Sequence, residues 1–273
     1  MSAAVVPDVL ARIVERRRER YGLSATAAST AGPAPSPGES LSSFQSRYPV
    51  DGHPFLSALS ARRGRAVIAE VKMGSPRLGS LAGRFVPERQ AEAYAAAGAA
   101  ALSVVVEPDF FFGSFELLAR CRAACGLPAI AKDFVVSERQ LDEAAVAGAT
   151  AVLLVAALYS PAALSAWAAA ARARGLAPLV EVHDAADLES LAGWEWELVG
   201  VNNRDLRTFE VDLEGAIRLA AHLPSGALRV AESGIATRAD VERLAAAGYE
   251  AFLVGESLLV ADDPAAKLRE LFG

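Results

Sequence analysis

Charged and polar residues recur in this chain at the ends of short apolar runs. Glu70 and Lys72 end the run that begins at Ala66, and Lys132 ends the run over 127–131. Four later runs end in the same way, in Glu181, in Asn202–Arg204, in Glu232–Gly234 and in Gly255–Ser257. Ammonium and carboxylate groups held close together are typical of general acid and base catalysis. The pattern therefore predicts an enzyme whose chemistry lies at the ends of successive strands.

Glu70 and Lys72 form the first of these clusters. They are two residues apart on one predicted strand, so both point to the same face of it. In a barrel that face is the interior, where an ionised pair is costly unless it has a role. The alternative is a structural salt bridge across the mouth of the barrel. Ser75, in the loop that follows, could present a hydroxyl group to a ligand.

Lys132 and Glu181 are the candidate proton-transfer groups. A lysine in a partly dry cleft can have its ammonium held, or its pKa lowered, as a general acid requires. The alternative for Lys132 is an ion pair with its neighbour Asp133 at the rim. Glu181 could take up a proton. We interpret His183 as a hydrogen-bonding residue, because no second histidine lies at the spacing of a metal site.

The glycines after the last two apolar runs predict an anion site. Gly234 and Gly255 free backbone N–H groups, and the helix that follows each turn points its positive end at the same place. A phosphate site after strands seven and eight is frequent in parallel barrels. The alternative for each glycine is a tight turn. Glu256 fits such a site if its side chain points away and its backbone N–H faces the ligand.

The elements that must position these clusters alternate regularly along the chain. Apolar runs predict buried strands near 66–72, 101–106, 128–132, 150–155, 177–182, 197–201, 228–232 and 251–255. Helices are predicted near 87–97, 114–124, 137–147, 161–173, 185–191, 212–221, 237–246 and 264–271. Eight βα units in a row favour an α/β fold of the (β/α)8 TIM-barrel type, with an open eight-stranded sheet as the alternative.

The first fifty residues differ from this pattern. An apolar stripe predicts a helix over 7–21, and residues 24–40 are rich in Pro, Ser and Ala, as in a linker. We therefore divide the chain into residues 1–54, an N-terminal helical extension with a linker, and residues 55–273, the catalytic barrel. The helix is expected either to close the bottom of the barrel or to lean over the substrate as a lid.

Composition excludes several classes of protein. A net charge of −6 argues against a nucleic-acid partner, and no apolar stretch is long enough to predict a membrane span. Arg16, Arg17 and Arg18 follow the first apolar residues, the reverse of a signal peptide. Cys121 and Cys125, four apart on one helix, do not make a disulfide framework. We expect a reduced, cytoplasmic protein.

Taken together, the clusters resemble those of indole-3-glycerol phosphate synthases. The matching segments are Glu70–Lys72 with Ser75–Pro76, Phe111–Ser114, Lys132–Phe134, Val180–His183, Asn202–Leu206, Ala231–Gly234 and Gly255–Ser257. The resemblance extends from about residue 55 to the end, and the opening helix fits the family's N-terminal extension. It implies closure of a ring on 1-(2-carboxyphenylamino)-1-deoxyribulose 5-phosphate in tryptophan biosynthesis, with loss of carbon dioxide and water. The family implies no cofactor and no metal.

The resemblance also implies roles for individual residues. Lys132 would protonate the ketone oxygen, Lys72 would hold the carboxylate, and Glu181 would act as a base or stabilise developing positive charge. The residues that orient these groups and the sugar hydroxyls would be Glu70, Asn202 and Ser233, with Arg204 nearby. The phosphate would bind to Ser75, Gly234, Gly255 and the backbone N–H of Glu256. The aromatic ring would lie among Phe111, Phe134, Leu153 and Leu206.

Two other functions stay open at this point. A phosphoribosyl isomerase or sugar-phosphate epimerase would need an Asp pair or a metal set at the strand ends, and the lysine pair argues against it. A catalytically silent barrel serving as a partner subunit would be expected to lack Lys132 or Glu181. The expected partner is a small phosphorylated molecule, and the expected assembly is a monomer or a weak homodimer. The first loop departs from the family, with Met73 where a basic residue is usual.

Overall fold

Eight parallel strands form a closed barrel in the order of the chain. The computed structural model describes residues 9–23, 52–76, 79–204 and 210–273. The strands are β1 Ala66–Val71, β2 Ala101–Val105, β3 Ala129–Lys132, β4 Ala151–Val155, β5 Ala177–Val182, β6 Leu198–Asn202, β7 Leu228–Glu232 and β8 Ala251–Val254. The barrel closes where β1 pairs with β8, with Val67 opposite Phe252. The predicted closed barrel is confirmed, and the open sheet is wrong.

Two helices precede the first strand, and the others follow the strands and cover the outside of the barrel. They are α1 Val9–Arg20, α2 Pro54–Ser60, α3 Pro87–Ala96, α4 Phe115–Cys125, α5 Glu138–Val146, α6 Pro161–Ala173, α7 Ala185–Glu189, α8 Leu213–Ala220, α9 Arg238–Ala246, α10 Glu256–Leu259 and α11 Pro264–Phe272. Local sequence sets their ends. The Ser160 side chain accepts the Ala163 N–H before α6, and Gly126 ends α4 in the left-handed conformation that glycine favours.

The end of the barrel at which the strands begin is sealed by apolar side chains. Ile68, Ile130 and Leu179 fill the interior there, and Phe55 and Leu59 of α2 pack on the same cluster. Each of these side chains is inaccessible to solvent. The short helix α2 was not predicted, because seven residues give too little periodicity to distinguish a helix.

The N-terminal helix α1 lies at the opposite end, where the strands finish. Its buried Arg17 donates to Asp133, the residue that follows β3, and Arg20 bonds to Asp109 at 2.9 Å. The expectation that this helix closes the bottom of the barrel is wrong. The bottom is filled by apolar residues, whereas the arginines of α1 pair with carboxylates in the loops at the other end.

Among the described residues, no helix has the length and apolar character needed to cross a bilayer.

Candidate active site

The carboxyl ends of the strands surround a cavity of about 570 Å³. The structure brings together at this cavity fourteen of the predicted site residues, Glu70, Lys72, Ser75, Phe111, Lys132, Phe134, Leu153, Glu181, Asn202, Arg204, Ser233, Gly234, Gly255 and Glu256. The remaining one, Leu206, lies outside the described residues. Side chains that are distant in sequence thus share one space, because parallel strands of a barrel all end at the same rim.

Lys132, at the end of β3, lies between two buried carboxylates. Its Nζ is 3.1 Å from Glu232 Oε2 and 3.4 Å from Glu181 Oε2. Burial alone would lower the pKa of Lys132, but the carboxylates of Glu232, Glu181 and Glu70 outweigh it and raise that pKa above its usual value. Of the two states expected for this lysine, the held ammonium agrees with the structure and the lowered pKa is wrong.

Asp133 does not pair with Lys132, so the rim ion pair considered above is wrong. Successive residues of a strand point to opposite faces, and Asp133 therefore leaves the barrel as Lys132 enters it. The Asp133 carboxylate instead accepts hydrogen bonds from Arg17, from the Gln140 side chain at 2.9 Å and from the Phe134 N–H at 2.8 Å. Its burial raises the pKa of Asp133 despite the Arg17 charge.

Glu70 and Lys72 share a face of β1, as predicted, and Lys72 Nζ lies 2.9 Å from Glu70 Oε1. Burial opposes ionisation of Glu70, but the Lys72 and Lys132 ammonium groups outweigh it and hold the pKa of this carboxyl below its usual range. The neighbouring strand end must leave room for it. A Cβ at Gly255 would lie 2.3 Å from Glu70 Oε1, so the carboxylate itself requires glycine there.

Glu232 is the site residue that the sequence analysis did not assign. It is fully buried at the end of β7. A Cβ at Gly200 would lie 2.2 Å from Glu232 Oε1, so the Glu232 side chain requires glycine there. Burial and the nearby Glu181 carboxylate raise the pKa of Glu232 to about 7, although Lys132 opposes this. Lys132 and His183 outweigh burial at Glu181 and lower its pKa. One feature of the sequence could have identified Glu232. It is an acidic residue at a strand end, and the neighbouring strand β6 carries a glycine, Gly200.

One wall of the cavity is aromatic. The rings of Phe111 and Phe134 lie 6.3 Å apart between centroids and are tilted by 33°. The Glu107 carboxylate fixes the loop that carries Phe111, because it accepts the N–H of Phe110 at 2.7 Å and that of Phe111 at 3.0 Å. Leu153 adds an aliphatic surface from the end of β4. Flat apolar groups of this size suit an aromatic ligand.

The opposite wall contains the residues of the predicted anion site. Ser233 has φ 65° and Gly234 has φ 74°, so the chain turns through the left-handed region directly after β7. The Asn203 amide supports this turn by donating to the carbonyls of Glu232 at 2.8 Å and Ser233 at 2.9 Å. A serine in that region stores backbone strain, which is typical of functional turns.

Glu256 follows β8 at the edge of the same wall. Its carboxylate accepts a hydrogen bond from the Arg204 guanidinium at 2.7 Å. A carboxylate beside an anion site would repel the ligand unless its charge were offset. The pairing with Arg204 provides that offset, so the acidic side chain and the predicted anion site are compatible.

Comparison with known proteins agrees with this geometry. Residues 32–271 match the family profile of indole-3-glycerol phosphate synthase. The chain belongs to the indole-3-glycerol phosphate synthase family. A protein of that name from Variovorax paradoxus (strain S110) is 42% identical over 274 residues, covering 98% of this chain and 100% of that protein. Another from Polaromonas sp. (strain JS666 / ATCC BAA-500) is 47% identical over 222 residues, covering 80% of this chain and 84% of that protein.

A solved structure supports the barrel independently. Orotidine 5'-phosphate decarboxylase from Pyrococcus horikoshii OT3 superposes with a TM-score of 0.54 and covers 68% of this chain and 90% of its own. The two sequences are 15% identical, so the likeness concerns the fold alone.

The loop after β1 contains the chain's departure from the usual family sequence. Met73 is partly buried and packs against the apolar core outside the barrel. The chain then forms a small hairpin in which Gly74 pairs with Ser80 and Ser75 pairs with Gly79. Arg77 and Leu78, which come between these pairs in the sequence, lie outside the described residues. Among the residues described, no group of three or more His, Cys, Asp or Glu is arranged to hold a metal ion.

Proposed function

We propose that this carboxy-lyase converts 1-(2-carboxyphenylamino)-1-deoxyribulose 5-phosphate to indole-3-glycerol phosphate, with release of carbon dioxide and water. The observation that carries the proposal is Lys132, an ammonium held between Glu181 and Glu232 in a cavity with an aromatic wall and a glycine turn. The substrate has the corresponding parts, an aromatic ring, a ketone and a phosphate.

The first chemical step is ring closure. The aromatic carbon that bears the carboxylate attacks the ketone carbon, and the ketone oxygen takes a proton from the Lys132 ammonium. Its raised pKa keeps Lys132 charged in the free enzyme, and the charge favours the developing alkoxide. Attack leaves positive charge on the ring nitrogen, which the buried carboxylate of Glu181 stabilises.

The second step is loss of the carboxylate. The bond from the ring carbon to the carboxyl carbon breaks, carbon dioxide leaves, and the electron pair neutralises the ring nitrogen. We assign Lys72 to hold the carboxylate before this step, because its ammonium lies at the cavity and is fixed by Glu70 at 2.9 Å. Ring closure makes the carbon that bears this carboxylate tetrahedral, so the carboxylate lies out of the ring plane and is oriented for departure.

The third step is dehydration. The new hydroxyl leaves as water after protonation, and Glu181 takes the proton that the ring system loses as it becomes aromatic. Glu232, with its pKa raised to about 7, is suited to return a proton to Lys132 for this step. Asn202 lines the cavity beside these groups and is assigned to hold the sugar hydroxyls.

The phosphate is assigned to the wall formed by Gly234, Gly255 and the backbone of Glu256, with Ser75 and Arg204 at its edge. Backbone N–H groups in a left-handed turn are suited to a phosphate dianion. The phosphate then lies opposite the aromatic wall of Phe111 and Phe134, so that the substrate spans the cavity with its ketone at Lys132.

The alternative activity, that of a phosphoribosyl isomerase or sugar-phosphate epimerase, has less support. It requires paired aspartates or a metal set at the strand ends, and Asp133 points out of the barrel to Arg17. A silent partner subunit is equally disfavoured, since Lys132 and Glu181 are both present at the cavity.

The test is incubation of the purified protein with the carboxyphenylamino sugar phosphate while indole absorbance and fluorescence are followed. We expect the indole chromophore to appear, and heat-denatured protein to be inactive. Substrate that persists unchanged, or a rearranged sugar phosphate without an indole chromophore, would refute the proposal.

A further inference from the structure

Two buried carboxylates share one ammonium at the centre of the site, and nothing in that contact alone decides which of them is ionised. Glu181 and Glu232 lie 3.4 Å and 3.1 Å from Lys132 Nζ, and both side chains are almost inaccessible to solvent. The two carboxyl groups also hydrogen-bond to each other, and neighbouring like charges disfavour ionisation of both, so one carboxyl must be easier to deprotonate than the other. The surroundings that differ between the two therefore set the chemistry.

His183 is one such difference. Its Nε2 lies 3.3 Å from Glu181 Oε1, an ion-pair distance, whereas Lys132 Nζ approaches the other oxygen, Oε2, of the same carboxylate. This nitrogen is buried and makes no aligned hydrogen bond to any residue that the structure describes. A buried imidazole nitrogen left facing a carboxylate is costly unless the two groups interact.

Asp187 holds the imidazole in that position. Asp184 caps α7 by accepting the Asp187 N–H at 3.0 Å, which directs the Asp187 side chain back toward the end of β5. There the Asp187 carboxylate accepts the His183 backbone N–H at 2.8 Å and lies 3.4 Å from the ring Nδ1. The ring is thus placed with one nitrogen toward Asp187 and the other toward Glu181.

We propose that His183, held by Asp187, is a positioning residue that selects Glu181 as the ionised carboxylate of the pair around Lys132. A protonated ring stabilises negative charge on Glu181, and the proton of the carboxyl pair then resides on Glu232. This arrangement gives Glu181 the base function and Glu232 the proton-returning function, so the inference rests on the proposed function and deepens it.

Charge around His183 is consistent with a protonated ring. Burial alone would lower the pKa of His183, but Asp187 and Glu181 outweigh it, with Glu232 adding to the effect, and raise it above its usual value. The Lys132 ammonium, which pairs with both glutamates, is the nearby positive charge that disfavours protonation of the ring. The ring therefore keeps its charge at acidic and near-neutral pH and loses it as the pH rises through the raised pKa.

The first test compares the pH dependence of kcat in wild type and in His183→Gln. Removing the charge should raise the pKa of Glu181, so the acid limb of the profile moves to higher pH by about 1–3 units, the usual effect of one close charge. The two profiles should converge at high pH, where the wild-type ring is neutral. Asp187→Asn should move the limb in the same direction by less. A His222→Gln control, at an exposed helix end, should leave the profile unchanged.

The second test needs no turnover. The three histidines of the chain can be titrated by NMR in wild type and in Glu181→Gln. We expect the pKa of His183 to fall in the variant, while His53 and His222 titrate as before. An unchanged His183 titration, or a His183→Gln enzyme with the wild-type acid limb, would overturn the inference. A wild-type protein that forms no indole but shows the coupled titration would instead refute the proposed function.

Discussion

The two ends of the barrel interior are built from the same eight strands and hold opposite chemistry. Where the strands begin, the interior is filled by residues such as Ile68 and Leu179 and is covered by Phe55. Where they finish, it contains two lysines and three glutamates in ion pairs, Lys72 with Glu70 and Lys132 with Glu181 and Glu232. Within each strand, the residues that stabilise the fold and those that line the active site are therefore only a few positions apart.

The largest effect is expected at the charged end. Lys132→Met should lower kcat by about 10²- to 10⁴-fold, the usual loss for a general acid. The fold should persist, because methionine preserves the apolar stem and both glutamates can take up protons. Steady-state kinetics with circular dichroism would check both points.

A matched control at the surface is Arg89→Met, since Arg89 is exposed on α3, lies 3.6 Å from Glu92 and does not line the cavity. It should change kcat little. A Lys132→Met enzyme with turnover within about threefold of wild type, far below the expected loss, would remove Lys132 from the mechanism.

The opposite end should respond in stability. Phe55→Ala should lower the free energy of unfolding by about 3–5 kcal/mol, because it leaves a cavity beneath a closed core. The folded fraction should keep the wild-type kcat and KM. Urea denaturation and kinetics at low temperature measure the two quantities separately. If kcat fell as steeply as in Lys132→Met, the separation of the two ends would not hold.

A smaller effect is expected at the anion wall. Gly234→Asp places a carboxylate against the phosphate and should weaken binding by about 1.5–3 kcal/mol, which is about 10- to 150-fold in KM. Inhibition by inorganic phosphate should weaken in parallel. Gly234→Ala is the control, because it shares the strain at φ 74° and the contact with Val211 but adds no charge. Equal KM values in the two variants would mean that charge is not involved.

The smallest effect is expected from chelation. The proposed steps use lysine and glutamate side chains alone, so exhaustive dialysis against EDTA should leave kcat unchanged. Activity measured before and after dialysis, with and without added Mg²⁺ or Zn²⁺, checks this. Loss of activity with recovery on adding one of these ions would show that the assigned groups are incomplete.

The parts of this structure that the sequence predicts are those that depend on local pattern. The strands match the predicted bounds to within one residue, because apolar runs and cap glycines are encoded locally. The pairing of side chains is not local. Glu232 and Lys132 are 100 residues apart, and Arg17 and Asp133 are 116 apart. Strand alternation indicates that Lys132 and Asp133 point to opposite faces, but it does not identify Glu232 and Arg17 as their partners.

The measurement that tests the central proposal most directly follows carbon dioxide and indole together. Substrate labelled in its carboxyl carbon is given to wild type and to Lys132→Met, and released label is compared with indole formed. We predict one carbon dioxide per indole in wild type and loss of both in Lys132→Met, because protonation by Lys132 precedes decarboxylation. Carbon dioxide released by the variant at the wild-type rate without indole would contradict the assignment of Lys132 to ring closure.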